Sequence, residues 1–308
     1  MNGNSRIVLK KGTLWQGIVR TTQQALRTGT LLPILTDYEF VEDRGIRFFV
    51  RILSSLQQKD EARQKEQKES TVSGKTVNPF LPYDENLFVA DISGTHVALL
   101  NKFNVVEHHL LIVTRHFEDQ ETLLTLHDFE ALWASMAEYN GLGFYNGGEV
   151  AGASQRHKHI QMVPLPLAPE GPEVPIEPLL DGARFEDGLG IITGFPFFHV
   201  FALLAHDLVA SPHDAARRTF ELYSAMLSRV GLEPPSVNVL KRQTAPYCLL
   251  MTRQWMLIVP RSREFFDSIS INSLAFAGAF LVRNREQMEL LKKHGPMTAL
   301  KSVALSEE

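Results

Sequence analysis

Residues 154–164 read SQRHKHIQMVP, with His157, His159 and Gln161 at every second position. A strand alternates its side chains between faces, so His157, His159, Gln161 and Val163 share one surface, and Lys158, Ile160 and Met162 share the other. Three polar groups therefore line a single face, about 6.5–7 Å apart along the strand. Three readings compete. The face is simply wet, although a solvent face more often carries Lys, Glu and Thr. Alternatively, His157 and His159 ligate a metal, for which Gln161 is a poor third ligand and His108, His109 or His116 would have to complete the set. In the third, His159 is a nucleophile: a neutral imidazole attacks through one nitrogen when the other is held as a donor to a carbonyl. His157 then secures the backbone, and Gln161 offers amide hydrogens to a phosphoryl oxygen. The preceding small-residue run Gly152-Ala153-Ser154-Gln155, with Asn146 before it, has the composition of a backbone cradle for phosphate.

Outward from this stretch, the N-terminal side is strand-rich. LFVADI, HVALLNKF and HHLLIVTRH follow one another from Leu87, with Ser93-Gly94-Thr95 as a tight connection. Thr125 with Asp128 forms a capping-box pattern before the apolar positions Phe129, Leu132, Trp133 and Met136, and Gly141 supplies the stop. A strand GLGFYN then ends at Asn146-Gly147. Residues 13–27 predict an amphipathic helix and residues 46–53 a strand. The polar run 56–71 carries no period, and SGKT at 73–76 lacks the earlier glycine that a phosphate loop requires.

On the C-terminal side, residues 164–190 are rich in Pro and Gly and read as an interdomain connection. Beyond them come FPFFHVFALL, a helix at about 213–230, the strands CLLMT and WMLIVPR, and a last helix from near Asn284 to Gly295-Pro296. HHLLIVTRHFED (108–119) and QWMLIVPRSREF (254–265) share a strand core followed by a basic turn, which suggests two related halves.

The 308 residues carry a formal net charge of −4, too little positive field to hold a nucleic-acid backbone. One cysteine excludes an internal disulfide, the N-terminus lacks the apolar stretch of a signal peptide, and the apolar runs are too short to span a membrane. A cytoplasmic location is expected.

GASQRHKHIQ resembles the signature of the histidine triad superfamily, in the branch that carries Gln where the hydrolases have a third histidine. The stretches 78–120 and 251–297 are similar to the diadenosine tetraphosphate phosphorylases, also called ATP adenylyltransferases, which are related to galactose-1-phosphate uridylyltransferase. The resemblance implies an α+β fold of two histidine-triad-like halves, each with an antiparallel sheet and packed helices: residues 1–165 as the catalytic half and 166–308 as the half that completes the nucleotide site. It implies that His159 attacks the α-phosphorus of diadenosine tetraphosphate, releasing ATP, and that inorganic phosphate takes the adenylyl group as ADP. By position, Asn101, Lys102, Asn146, Gly152, Ala153, Ser154, Gln155 and Gln161 match the family's nucleotide and phosphate contacts, and Lys59, Asn272, Ser273 and Arg283 fall where further substrate contacts are expected. No tightly bound cofactor or metal is implied. A divalent ion such as Mg²⁺ can travel with the substrate phosphates. The single cysteine argues against the cysteine-bound structural metal of the uridylyltransferases. A dinucleoside polyphosphate hydrolase and a nucleotide sensor without turnover stand as the alternatives.

Overall fold

The computed structural model describes residues 6–53, 78–232 and 242–306. Lys59, the polar run 56–71, SGKT and Lys241 lie outside the described residues.

Ten strands form one antiparallel sheet in the order β3-β4-β5-β7-β6-β11-β12-β10-β9-β8. Its first half consists of β3 (Phe88–Asp91), β4 (His96–Leu100), β5 (Leu110–Thr114), β6 (Gly141–Gly147) and β7 (His159–Pro164). The second consists of β8 (Ala183–Glu186), β9 (Leu189–Ile192), β10 (Val200–Leu203), β11 (Tyr247–Met251) and β12 (Trp255–Pro260). The halves meet where β6 pairs with β11, Tyr145 opposite Leu249 and Gly143 opposite Met251. Each half thus contributes five strands to a continuous sheet.

The order places β11, β12 and β10 where β6, β7 and β5 stand in the first half. Residues 254–265 therefore correspond to the HKHIQ strand, not to 108–119 as the sequence similarity suggested. Pro164 pairs with Gly141 and Pro260 with Tyr247, which sets Val163 against Val259, Gln161 against Leu257, His159 against Trp255 and His157 against Arg253. Short apolar strand cores carry little register information, so likeness between two of them does not identify which strands are equivalent.

Ile112, Ile160, Met162, Leu249, Met256 and Ile258 lie on one sheet face, under α1 (Leu14–Thr28), α2 (Leu126–Met136) and α3 (Pro212–Arg229). The capping box of α2 is present, Thr125 accepting from the Asp128 N–H and the Asp128 carboxylate accepting from the Thr125 N–H. Trp133 Nε1 donates to Thr219 Oγ1 at 2.9 Å, joining α2 to α3.

The other face is covered unevenly. Over the second half lies a three-stranded sheet of β1 (Thr36–Asp43), β2 (Ile46–Leu53) and β15 (Ala279–Val282), with α5 (Arg285–His294) and α6 (Pro296–Val303). This layer seals Leu250, Trp255, Leu257 and Val259 into an apolar core. β13 (Phe265–Phe266), β14 (Ile269–Ser270) and the short α4 (Ser273–Phe276) connect it to the large sheet. Over the first half, the same face meets a smaller cluster around Phe80, Val97, Leu99, Leu111 and Val113.

Segment 164–190 is no bare connection: Ala183–Glu186 pairs with Leu189–Ile192 to build the outer edge of the large sheet. Gly295-Pro296 ends one helix and starts another, because proline suits the first helical turn. Among the described residues, no helix is long and apolar enough to cross a membrane.

Candidate active site

His159 opens β7 on the face shared with Gln161, and its side chain is only 5% exposed. Its Nδ1 lies 2.8 Å from the His157 carbonyl oxygen. A carbonyl only accepts, so Nδ1 carries the proton and Nε2 keeps its lone pair. Burial pushes the His159 imidazole down to about 4, against a smaller opposing effect of that carbonyl bond, so the ring is neutral above that pH.

His157 is buried and equally fixed. Its Nε2 donates to the Thr114 carbonyl at 2.8 Å, and its Nδ1 accepts from Asn78 Nδ2 at 3.0 Å. Burial lowers its pKa too, with the Thr114 and His116 bonds opposing. The Phe80 ring packs against both imidazoles, its centroid 5.4 Å from that of His159 and 5.6 Å from that of His157. His157 is thus fixed at both ring nitrogens, and its carbonyl faces the His159 Nδ1.

Two residues beyond the last β6–β7 pair, Phe144 with Gln161, stand Asn146 and His159, both buried and joined through the Gln120 side chain. Asn146 Oδ1 accepts from the Ser273 N–H at 2.9 Å and lies 2.6 Å from the Ser273 hydroxyl. Ser273 is itself fully buried, with the Tyr145 carbonyl 3.0 Å from its hydroxyl, so its polar groups orient Asn146. Asn272 caps α4 by accepting from the Leu274 N–H at 3.1 Å. Gly152, at φ +94°, lies against Asn272: a Cβ there would stand 2.8 Å from the Asn272 Cβ, so only glycine permits the approach. Ala153, Ser154 and Gln155 continue from this turn toward the histidines, with Ser154 exposed. The structure therefore brings together His157, His159, Gln161, Asn146, Ser273, Asn272 and the 152–155 turn.

Asn101 follows β4 with the parity that puts it on the same face as Gln161, about 13 Å further along the strand direction than His159, and Lys102 comes next in the turn. Asn101 lies 3.3 Å from His109 Nδ1, and Lys102 is exposed. Arg283 is exposed just after β15, and its backbone N–H donates to Gln287 Oε1 at 2.7 Å.

Three supports escaped the sequence. Gln120, 1% exposed, accepts the His159 N–H at 2.8 Å and donates to the carbonyls of Asn146 and His159 at 2.9 and 3.1 Å. Lys158, turned to the opposite face, is buried with its Nζ 2.7 Å from Asp128, 3.2 Å from Glu118 and 3.1 Å from the Leu123 carbonyl. Burial alone would raise the Asp128 carboxyl, but Lys158 and His96 outweigh it and hold that carboxyl far below the usual carboxylate range. Arg261, 1% exposed, donates to the carbonyls of Ala151, Ile271 and Val303, tying the 152–155 turn to the segment that carries Asn272. Gln120 and Lys158 leave no periodic signal, and Arg261 read as part of a basic turn.

His199 is buried with its Nδ1 2.7 Å from the Phe197 carbonyl and its Nε2 accepting from the Ile192 N–H at 2.8 Å, a satisfied core histidine. Among the described residues, no group of three or more His, Cys, Asp or Glu is placed to hold a metal ion.

Residues 4–182 match the model of the Ap4A phosphorylase N-terminal domain, and residues 193–306 match that of the ATP adenylyltransferase C-terminal domain. The chain belongs to the Ap4A phosphorylase family. It is 29% identical over 239 residues to diadenosine 5',5'''-P1,P4-tetraphosphate phosphorylase 2 of Saccharomyces cerevisiae, covering 70% of this chain and 72% of that protein. It is 25% identical over 284 residues to Protein APA1 of the same yeast, covering 86% and 85%. The crystal structure of yeast Ap4A phosphorylase Apa2 superposes with a TM-score of 0.77 at 25% identity, covering 98% of this chain and 97% of that one. These likenesses bear out the α+β histidine-triad-like fold and the branch read from GASQRHKHIQ.

Proposed function

We propose that the chain phosphorolyses diadenosine tetraphosphate to ADP and ATP through an adenylyl group carried on His159. The observation that supports this best is the 2.8 Å contact from His159 Nδ1 to the His157 carbonyl, which leaves a neutral, unprotonated Nε2. Nε2 attacks the α-phosphorus, a P–N bond forms, and the bond from that phosphorus to the bridging oxygen breaks, releasing ATP. The cation that develops on the ring is stabilised by the same carbonyl, which faces the Nδ1 proton. An oxygen of inorganic phosphate then attacks the adenylyl phosphorus, the P–N bond breaks, and ADP leaves with His159 restored. Nothing is lost or gained across the cycle, and each step is reversible.

Around the reacting atoms, Gln161 donates its amide hydrogens to a non-bridging oxygen, and Asn146 with the Gly152–Gln155 turn holds the flanking phosphates. Asn272 supports that turn, whereas Ser273 acts by orienting Asn146. Asn101, further along the same face, and Lys102 beside it in the chain serve the nucleoside end of the substrate, and Lys59 and Arg283 are further substrate contacts. A divalent ion such as Mg²⁺ enters with the substrate, held by the phosphate oxygens.

A hydrolase of the same superfamily would let water replace phosphate. Gln161 disfavours it, because an amide neither activates water nor protonates a leaving group. A sensor that binds without turnover would have no need of the fixed tautomer at His159. Incubation of diadenosine tetraphosphate with the protein, with and without inorganic phosphate, separates the three. ADP and ATP formed only with phosphate are expected. AMP with ATP, or ADP alone, formed without phosphate would establish hydrolysis, and no product in either case would leave binding alone.

A further inference from the structure

The β6–β7 ladder runs from Gly141 opposite Pro164 to Phe144 opposite Gln161. Two residues further stand Asn146 and His159, and there Gln120 takes over. Its Oε1 accepts the His159 N–H at 2.8 Å, and its Nε2 uses both hydrogens, one on the Asn146 carbonyl at 2.9 Å and one on the His159 carbonyl at 3.1 Å. A side-chain amide therefore stands where two strands would otherwise bond directly, and the spacing between their backbones becomes the span of that amide plus a hydrogen bond on each side.

Gln120 is held as firmly as it holds. Its backbone N–H donates to the Arg156 carbonyl at 2.7 Å, and the Tyr145 hydroxyl donates to its carbonyl. The loop that carries it is anchored from beneath β7, where Lys158 Nζ grips Glu118 and the Leu123 carbonyl on either side of Gln120. Every polar group of a residue 1% exposed is thus engaged, and three of its bonds end on the backbones of His159 and Asn146.

We infer that Gln120 is a positioning residue that sets the distance between the His159 imidazole and the Asn146 amide, and so the fit of the site to a phosphorus under attack. This rests on the adenylyl-transfer reading above. Gln120 touches no substrate in this account; it acts through two peptide groups that do not change between ground and transition state. Its loss should lower kcat and leave KM nearly unchanged, because a displacement of about 1 Å in a catalytic pair is worth on the order of 100-fold in rate while a flexible phosphate chain still binds.

The test uses the full chain with two substitutions, Gln120→Met and Gln120→Glu, and three readouts: thermal unfolding, kcat and KM for diadenosine tetraphosphate with phosphate, and hydrogen–deuterium exchange of the peptide containing His159. Gln120→Met removes all three bonds. It is expected to lower kcat about 100-fold, leave KM within about threefold and speed exchange at His159 at least about tenfold, with α2 unchanged. Gln120→Glu keeps the acceptor for the His159 N–H but lacks the two donors, so exchange at His159 stays near that of the parent while kcat falls about tenfold. If the methionine variant does not fold, the glutamate variant decides. A folded variant with kcat within threefold of the parent, or with KM raised and kcat untouched, overturns the inference. Faster exchange at His159 in Gln120→Met, with a parent chain that makes no ADP or ATP, would uphold the bridge and sink the reaction instead.

Discussion

β7 and β12 occupy equivalent places in the two halves of one sheet, yet they present opposite chemistry. Where β7 and the residues before it carry His157, His159 and Gln161, the second half carries Arg253, Trp255 and Leu257. Backbone geometry cannot explain the difference, since the register is the same. What differs is the cover. Over β12 the three-stranded sheet with α5 and α6 excludes water, and the face became Trp255, Leu257 and Val259 in a continuous core. Over β7 that layer reaches Val163, while around the histidines Phe80 and Phe117 pack, and the face keeps imidazoles, an amide and a glycine turn. The scaffold supplies a rigid strand in both places; the second layer determines which one meets a substrate.

The reverse faces differ too, and that contrast carries the largest expected effect. Lys158 is buried against Asp128 and Glu118, whereas its counterpart Gln254 is exposed. Lys158→Met strands the Asp128 carboxylate and should destabilise the fold by about 3–5 kcal/mol in urea unfolding, while Gln254→Met should change stability by less than about 0.5 kcal/mol. Equal effects at the two positions would dissolve the contrast.

The next effect is one of pH. The ring of His159 titrates at about 4 in the fold, against an unfolded value near 6.5. Between these values the unfolded chain binds the proton and the folded chain does not, so stability falls as pH drops from 6.5 to 4. His159 alone accounts for about 3 kcal/mol of that loss, and His159→Asn should flatten the profile by this amount. The same value keeps the nucleophile neutral, so the acid limb of kcat/KM attributable to His159 should lie near pH 4. A limb near 6.5 would mean that the ring is solvated in the working enzyme.

Smallest is the exchange of Gln161 for the residue at its counterpart. Gln161→Leu removes one donor to the phosphoryl oxygen and should lower kcat about 10–100-fold with folding intact. A drop below threefold would assign that contact elsewhere.

The alternation HxHxQ was legible because a strand converts spacing into a shared face, and the capping box at Thr125–Asp128 because it is local. The supports were not. Gln120 and Asn78 reach the histidines across 39 and 79 residues, from loops whose positions follow no period. β8 and β9 hid in a Pro/Gly-rich segment because each is only four residues long. β1 hid because TDYEFVED carries charges on a half-exposed strand. The repeat was visible as a likeness of strand cores, but only the hydrogen-bonded order shows that β12 answers to β7. Whether a face becomes core or site depends on what covers it, and that layer is assembled from residues 36–53 together with 279–303, far apart in sequence.

The most direct test is to mix the protein with diadenosine tetraphosphate in phosphate-free buffer, quench at high pH where a phosphoramidate survives, and map the adenylylated peptide by mass spectrometry. The account predicts one AMP unit on His159, discharged as ADP on adding phosphate before the quench, and absent from His159→Gly although that variant still binds the nucleotide within about tenfold. Turnover by His159→Gly, or an adenylyl group on any other residue, would contradict it.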